Sequence, residues 1–195
     1  MISDYQYHKA IIAIEQIHSK DITQEQHNGS LIPAEFLYGK RMLKTLELVS
    51  PESSYAMKLA VQCQHLQRWG VPRSSYTYDR RGYHEWRREV MKYQLEQTIN
   101  LLSSISIDEI DIKWIAQVIN AQENKADSNG LIIMDTACLV FLKWYMEPFA
   151  KKHESEKVLD ILKKTFRKMS TDAQNLISKL DLPESSLQVL DQAIR

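Results

Sequence analysis

Residues 131–149, LIIMDTACLVFLKWYMEPF, decide the fold of this 195-residue chain. Apolar residues occupy nearly every position of the stretch, so they would lie on all sides of a helix and not along one stripe. A helix that is apolar all round is usually buried at the centre of a domain. We therefore expect the other helices to surround residues 131–149, and we expect Pro148 to mark the end of this helix.

Helical spacing of apolar residues also recurs through the rest of the chain. Glycine and proline number only five each, and strand-like alternation is nearly absent, so the sequence predicts an all-α fold. Ser3 and Gln6 fit a capping box for the first helix, and residues 20–30 are predicted to be a polar loop that ends in the turn signal Asn28-Gly29. The chain contains no repeat or linker, which predicts a single compact domain of about eight helices over residues 1–195.

Composition limits the class of partner and the compartment. Lysine plus arginine equals aspartate plus glutamate at 25 each, so there is no general attraction to nucleic acid or anionic lipid. Cys63 and Cys138 are too few for a disulfide framework, and we expect both to be reduced core residues. The longest apolar run, residues 137–142, is far shorter than the roughly 18 residues of a membrane-spanning helix, and the N-terminus lacks the pattern of a signal peptide. We expect a soluble, cytoplasmic protein with no membrane partner.

Arginine, tryptophan and histidine are concentrated in residues 59–90. There, His65 lies on a helical pattern, and Arg68 follows one turn later, before a polar loop. Arginine presents a planar fork to phosphate or carboxylate and stacks on aromatic rings. The stretch therefore predicts a site for a phosphate-bearing small molecule, a nucleotide or an RNA end, unless these residues form a solvated basic face over an aromatic core. The candidate ligand-binding residues are Arg68, Trp69, Arg73, Tyr76, Arg81, Tyr83 and Arg87.

His65 and Asp135 are the candidate catalytic residues and metal ligands. His65 is interpreted either as a metal ligand or general base, or as a boundary histidine satisfied by a hydrogen bond. Asp135 is a lone carboxylate in the apolar central helix, which is costly unless it binds a divalent cation or pairs with Arg68 or Arg41. The sequence contains no glycine-rich phosphate loop, no HExxH and no CxxC pair, so any site must be assembled from separated residues.

Four segments resemble the domain-of-unknown-function 4202 family, and the resemblance runs over nearly the whole chain. They are QHLQRWGVPRSSY at 64–76, RRGYHEWR at 80–87, DTACLVFL at 135–142 and KTFRKMS at 164–170. The helical pattern of that family is similar to the HD-domain superfamily of metal-dependent phosphohydrolases. The resemblance implies an HD-like fold, one divalent metal (Mn, Fe, Mg or Zn) held by His65 and Asp135, and hydrolysis of a phosphoester by metal-activated water.

The chain departs from the HD pattern at the expected metal ligands. Leu66 follows His65 where that pattern has an aspartate, and Met134 stands just before Asp135 where relatives often carry a second carboxylate. The second helix should supply the first ligand, but it offers no histidine, only Glu35, Tyr38, Lys40 and Arg41. Two functions therefore stay open: an HD-type metal-dependent phosphohydrolase acting on a nucleotide or related phosphate, and a metal-free binding module for an anionic ligand or RNA end.

Overall fold

The computed structural model describes residues 1–122 and 124–194. The all-α prediction is confirmed, with one small hairpin in addition. The elements are α1 Asp4–His18, β1 Gln24–His27, β2 Ser30–Pro33, α2 Ala34–Val49, α3 Tyr55–Cys63, α4 Arg80–Ser104, α5 Glu109–Ala121, α6 Ser128–Val140, α7 Met146–Ala150, α8 Ser155–Lys168, α9 Thr171–Leu176 and α10 Glu184–Ile194. Short 3-10 turns occur at Arg68–Gly70, Arg73–Ser75 and Ile177–Lys179. Among the described residues, none of the helices combines the length and the apolar character needed to cross a membrane.

Helix α6 lies at the centre of the fold, as the sequence predicts. It contacts α2, α3, α5, α8 and α9. Its Ile133 and Val140 belong to a core formed with α1 to α5, whereas Met134, Cys138 and Leu139 belong to a second core formed with α8 to α10. The helix is apolar all round because it is the common wall of these two cores.

The central helix differs from the predicted range 131–149 in its start and in its interior. It begins at Ser128, where the Asp127 side chain caps it by accepting a 2.7 Å hydrogen bond from the Gly130 N–H. After Val140, the chain forms a π-helical segment, Phe141–Tyr145. Pro148 lies inside α7 and does not end it. Since a proline ring collides with the carbonyl four residues earlier in a regular α-helix, the distortion before Pro148 has a local steric cause.

The loop predicted over residues 20–30 contains a β-hairpin. β1 and β2 pair in antiparallel fashion, with His27 opposite Ser30. Asn28 and Gly29 between them have φ values of 49° and 80°, and a two-residue type I′ turn requires such positive values. The hairpin places Glu25 beside α2. At the start of the chain, the Ser3–Gln6 capping box of α1 is confirmed.

Candidate functional site

Helix α2 and the turn after α3 bring Glu35, Tyr38 and His65 together. Glu35 Oε2 lies 3.1 Å from His65 Nδ1, and the Tyr38 and His65 rings stack with their centroids 4.3 Å apart. Pro33 at the start of α2 offers no capping side chain. Asp21 replaces that cap, because its Oδ2 accepts the Glu35 backbone N–H at 3.1 Å. Asp21 thus holds the backbone of the first turn of α2, and the Glu35 carboxylate reaches His65 from this turn.

His65 lies just beyond α3, and not within the helix that the sequence predicts. The helix ends at Cys63, and Gln67 adopts a left-handed conformation with φ 52° that turns the chain away from the helical path. The His65 side chain is 20% exposed. The ring therefore contacts protein on most sides and keeps one side open.

Arg68 lies on the other side of the imidazole from Glu35. Its Nη1 is 3.2 Å from His65 Nε2, and its guanidinium carbon lies 4.8 Å from the centroid of the Trp86 ring. Trp86 is held in turn by a 2.9 Å hydrogen bond from its Nε1 to the Val71 carbonyl. A guanidinium stacked on an aromatic ring is positioned without using its in-plane N–H groups.

Glu35 and Arg68 together determine which ring nitrogen of His65 carries the proton. A carboxylate only accepts and a guanidinium only donates, so neutral His65 carries its proton on Nδ1 and accepts at Nε2. Burial lowers the pKa of His65 and Arg68 lowers it further, while Glu35 opposes both; the imidazole is therefore neutral at pH 7. Burial alone would raise the pKa of the Glu35 carboxyl, but His65 and Arg68 outweigh burial and lower that pKa.

Glu35, Tyr38 and His65 line a cavity of about 360 Å³, and Arg68 lies behind His65 outside that lining. Its volume is at the lower end of the range of small-molecule pockets, roughly 300–1,000 Å³. Two larger cavities have no histidine in their linings. One, of about 610 Å³, lies along α4 and α5, and the other, of about 520 Å³, lies beside Trp114. The His65 cavity is lined by Glu25, Ala34, Glu35, Tyr38, His65, Ala137, Phe141 and Tyr145.

A buried arginine supports the wall of the cavity that Glu25 and Tyr145 form. Arg41 is 7% exposed, and its Nη1 donates to Glu25 Oε1 at 2.5 Å and to the Tyr145 hydroxyl at 2.8 Å. Its guanidinium lies over the rings of Tyr145 and Trp144, at 5.1 and 5.5 Å. The π-helical segment carries both rings and thereby brings them against α2.

Arg73 and Tyr76, two predicted ligand-binding residues, shape the loop before α4. Arg73 donates from Nη1 to the Tyr76 carbonyl at 3.1 Å and from Nη2 to the Thr77 carbonyl at 2.8 Å. Its guanidinium lies 5.1 Å from the Tyr78 ring and 5.9 Å from the Trp86 ring. Arg73 therefore stabilises the loop that holds Trp86 beneath Arg68.

The other predicted arginines and aromatic residues divide into two groups. Tyr83 packs against Trp86 with 5.8 Å between ring centroids, Trp69 follows Arg68 in the same 3-10 turn, and Arg87 is close enough to lower the pKa of His65. Arg81, by contrast, is 88% exposed and forms an ion pair with Glu85 at 2.9 Å.

Asp135 has a partner that the sequence does not predict. Its Oδ1 accepts the Ser170 backbone N–H at 2.8 Å, and its Oδ2 accepts the Ser170 hydroxyl at 2.6 Å. The Ser170 hydroxyl also accepts the Ala173 N–H and so caps α9. The expected pairing of Asp135 with Arg41 or Arg68 is wrong, because those guanidiniums contact Glu25 and His65.

The metal centre implied by the resemblance does not fit these contacts. Both oxygens of Asp135 are occupied by Ser170, and both ring nitrogens of His65 are occupied by Glu35 and Arg68. Within residues 1–122 and 124–194, no group of three or more histidine, cysteine, aspartate or glutamate side chains is arranged to hold a metal ion.

Several residues of the cavity are not singled out as site residues by the sequence. Glu35, Tyr38 and Arg41 are spaced three apart, so they share one face of α2, and that spacing is the signal that could have identified them. Glu25 and Tyr145 have no comparable signal. Their position depends on the hairpin and on the π-helical segment.

Comparison with protein-family models matches residues 8–190 to a family described as a domain of unknown function, DUF4202. The match covers nearly the whole chain. Searches of curated proteins and of solved structures return no match.

Proposed function

Because the chain belongs to the DUF4202 family, whose description names no activity, we propose its function from its own site: it binds a phosphate-bearing small molecule, a nucleotide or related phosphate, without a metal. The observation that supports this proposal best is the position of Arg68. Its guanidinium is stacked on Trp86 and contacts His65, which lines the cavity.

The electrostatics around Arg68 favour an anion. Burial lowers the pKa of Arg68, and the nearby charge of Arg87 acts in the same direction, while Glu35 opposes them. A phosphate at Arg68 would offset this cationic surrounding, and its oxygens match the N–H fork of the guanidinium. The rings of Tyr38, Phe141 and Tyr145 give the adjoining cavity flat apolar walls that suit the ring of a nucleotide.

We expect nucleoside monophosphates to raise the unfolding temperature of the full chain in EDTA, while the matching nucleosides without phosphate have little effect. A ligand at 100 times its dissociation constant adds about 2.7 kcal/mol of stability, which corresponds to roughly 5–10 °C for a chain of this size. The measurement is a thermal unfolding scan over nucleotides, sugar phosphates and a short RNA with a terminal phosphate, each with and without Mn²⁺.

Arg68→Met should weaken binding of the nucleotide by at least about tenfold, because it removes charge-assisted hydrogen bonds but keeps an apolar contact with Trp86. Arg80→Met, which changes an exposed arginine of α4, is the matched control and should bind as the wild type does. The proposal is wrong if no phosphate compound shifts the unfolding temperature, or if the two variants bind equally well.

Hydrolysis of the same ligand is the second candidate function, and the Glu35–His65 contact favours it. A histidine oriented by a carboxylate has the arrangement of a general base, once the phosphate of the ligand draws Arg68 away from His65 Nε2. Phosphate release in EDTA that His65→Gln abolishes would establish this activity. Release that requires Mn²⁺ would instead support the HD-type phosphohydrolase that the resemblance implies. Either function suits the cytoplasm, where the two free, buried cysteines would stay reduced.

A further inference from the structure

Two carboxylates line the cavity, and each uses one oxygen within the protein. Glu25 Oε1 accepts from Arg41, and Glu35 Oε2 contacts His65. In the hydrogen bonds among the described residues, the second oxygen of each carboxylate takes no part. The cavity therefore has acceptor oxygens that a ligand could satisfy, and the cationic group of Arg68 lies next to its His65 wall.

Tyr145 adds one donor to these acceptors. Its hydroxyl oxygen accepts from Arg41 Nη1 at 2.8 Å, so its own proton is directed elsewhere. A phenol can donate one hydrogen bond while it accepts another. The cavity thus combines carboxylate acceptors, the hydroxyl donor of Tyr145 and the aromatic rings of Tyr38 and Phe141.

We propose that this cavity holds the base of the nucleotide and selects bases that carry an exocyclic amino group: guanine, adenine or cytosine. An amino group donates to a carboxylate, and glutamate and aspartate accept from the amino group of cytosine in this way. The neighbouring ring nitrogen or carbonyl of the base accepts from a hydroxyl. The inference rests on the proposed function, because the phosphate contact at Arg68 anchors the ligand.

The selection follows from the cost of an unsatisfied acceptor. Guanine, adenine and cytosine present at least two donor hydrogens to the two carboxylates, whereas hypoxanthine and uracil offer only one ring N–H and leave one carboxylate oxygen desolvated and without a donor. Sites built to hydrogen-bond a ligand group discriminate strongly against analogues that lack this group. GMP should therefore bind at least about tenfold more tightly than IMP, and CMP more tightly than UMP by a similar factor.

The test is calorimetric titration of the full chain, in EDTA, with these two matched pairs. In each pair the first base carries an amino group that the second lacks, and the phosphate is identical. In Glu25→Gln, the amide oxygen can still accept from Arg41, but the amide nitrogen then presents donors to the cavity. The preference should fall below about threefold, while IMP and UMP should bind about as they do to the wild type.

Glu109→Gln is the matched control, since Glu109 forms an exposed ion pair with Lys113 and its substitution changes the same charge outside the cavity. It should keep the full preference. Equal affinity within both pairs would overturn base selection and leave the proposed function intact, whereas failure of all four nucleotides to bind would overturn the proposed function itself. A full preference retained in Glu25→Gln, with an unchanged unfolding temperature, would overturn the assignment to Glu25.

Discussion

Lowering the pH from neutral to about 4 should cost the chain about 3 kcal/mol of folding free energy through His18 alone. His18 is 1% exposed, and its Nε2 has no hydrogen-bond partner among the described residues. The His18 ring fills the space beside Gly39, because a Cβ added to Gly39 would lie only 3.2 Å from His18 Nδ1. Burial lowers the pKa of His18 from 6.5 to about 4, and the carboxylates of Glu35, Asp21 and Glu15 oppose this shift only in part.

The sign of the effect follows from the order of the two pKa values. The pKa of His18 is lower in the folded chain than in the unfolded chain, so the unfolded chain takes up the proton first as the pH falls. The contribution to stability is complete above pH 6.5. It is lost progressively as the pH falls to about 4 and changes no further below that value.

Urea unfolding at pH 7 and at pH 4.5 measures this effect. His18→Leu removes this titrating group and should reduce the pH dependence of the unfolding free energy over this interval by about 3 kcal/mol, leaving the part that His65 contributes. His8→Leu makes the same substitution at an exposed position of α1 and keeps His18, so the dependence should persist. Equal pH dependence in His18→Leu and in the wild type would contradict the prediction.

Replacing Asp135 with alanine should destabilise the fold by about 2–3 kcal/mol, because hydrogen bonds to a charged group each contribute about 1.5–3 kcal/mol. The substitution leaves the N–H and the hydroxyl of Ser170 without their acceptor and weakens the attachment of α9 to α6. Asp135→Asn keeps one acceptor oxygen and an isosteric shape, so its cost should be about half as large.

A double-mutant cycle with Ser170→Ala separates this contact from other effects of the substitutions. The coupling free energy between the two positions should be at least about 1 kcal/mol, measured by urea unfolding. EDTA should leave the stability of the wild type unchanged. A loss of stability in EDTA that Asp135→Ala abolishes would instead identify Asp135 as a metal ligand.

Periodicity in the sequence predicts which segments are helical, but it predicts neither where α3 and α6 end nor the hairpin. The stretch 131–149 is apolar on every side, so its central position follows from composition alone, and both cores bury it. Asn28-Gly29 is a strong turn signal, but β1 and β2 are only four residues each, and neither alternates apolar with polar residues. Their pairing is therefore not predictable from the apolar pattern.

The candidate site divides in the same way between local and distant contacts. His65, Arg68 and Trp86 stand out because their residue types are unusual within one short stretch. The partner of Asp135 lies 35 residues away, so helical spacing cannot indicate it. Glu25 and Tyr145 meet across Arg41 only because a hairpin and a π-helical segment place them there.

The π-helical segment Phe141–Tyr145 makes one wall of the cavity depend on the number of residues as well as on their identity. A π turn contains one residue more than the α turn it replaces, and each residue of a helix rotates the chain after it by about 100°. Insertion of a further codon between 141 and 144 would exceed the one residue that the π turn absorbs and would swing Tyr145 away from Arg41. Such an insertion would dismantle this wall while leaving Glu25, Arg41 and Tyr145 all present in the sequence.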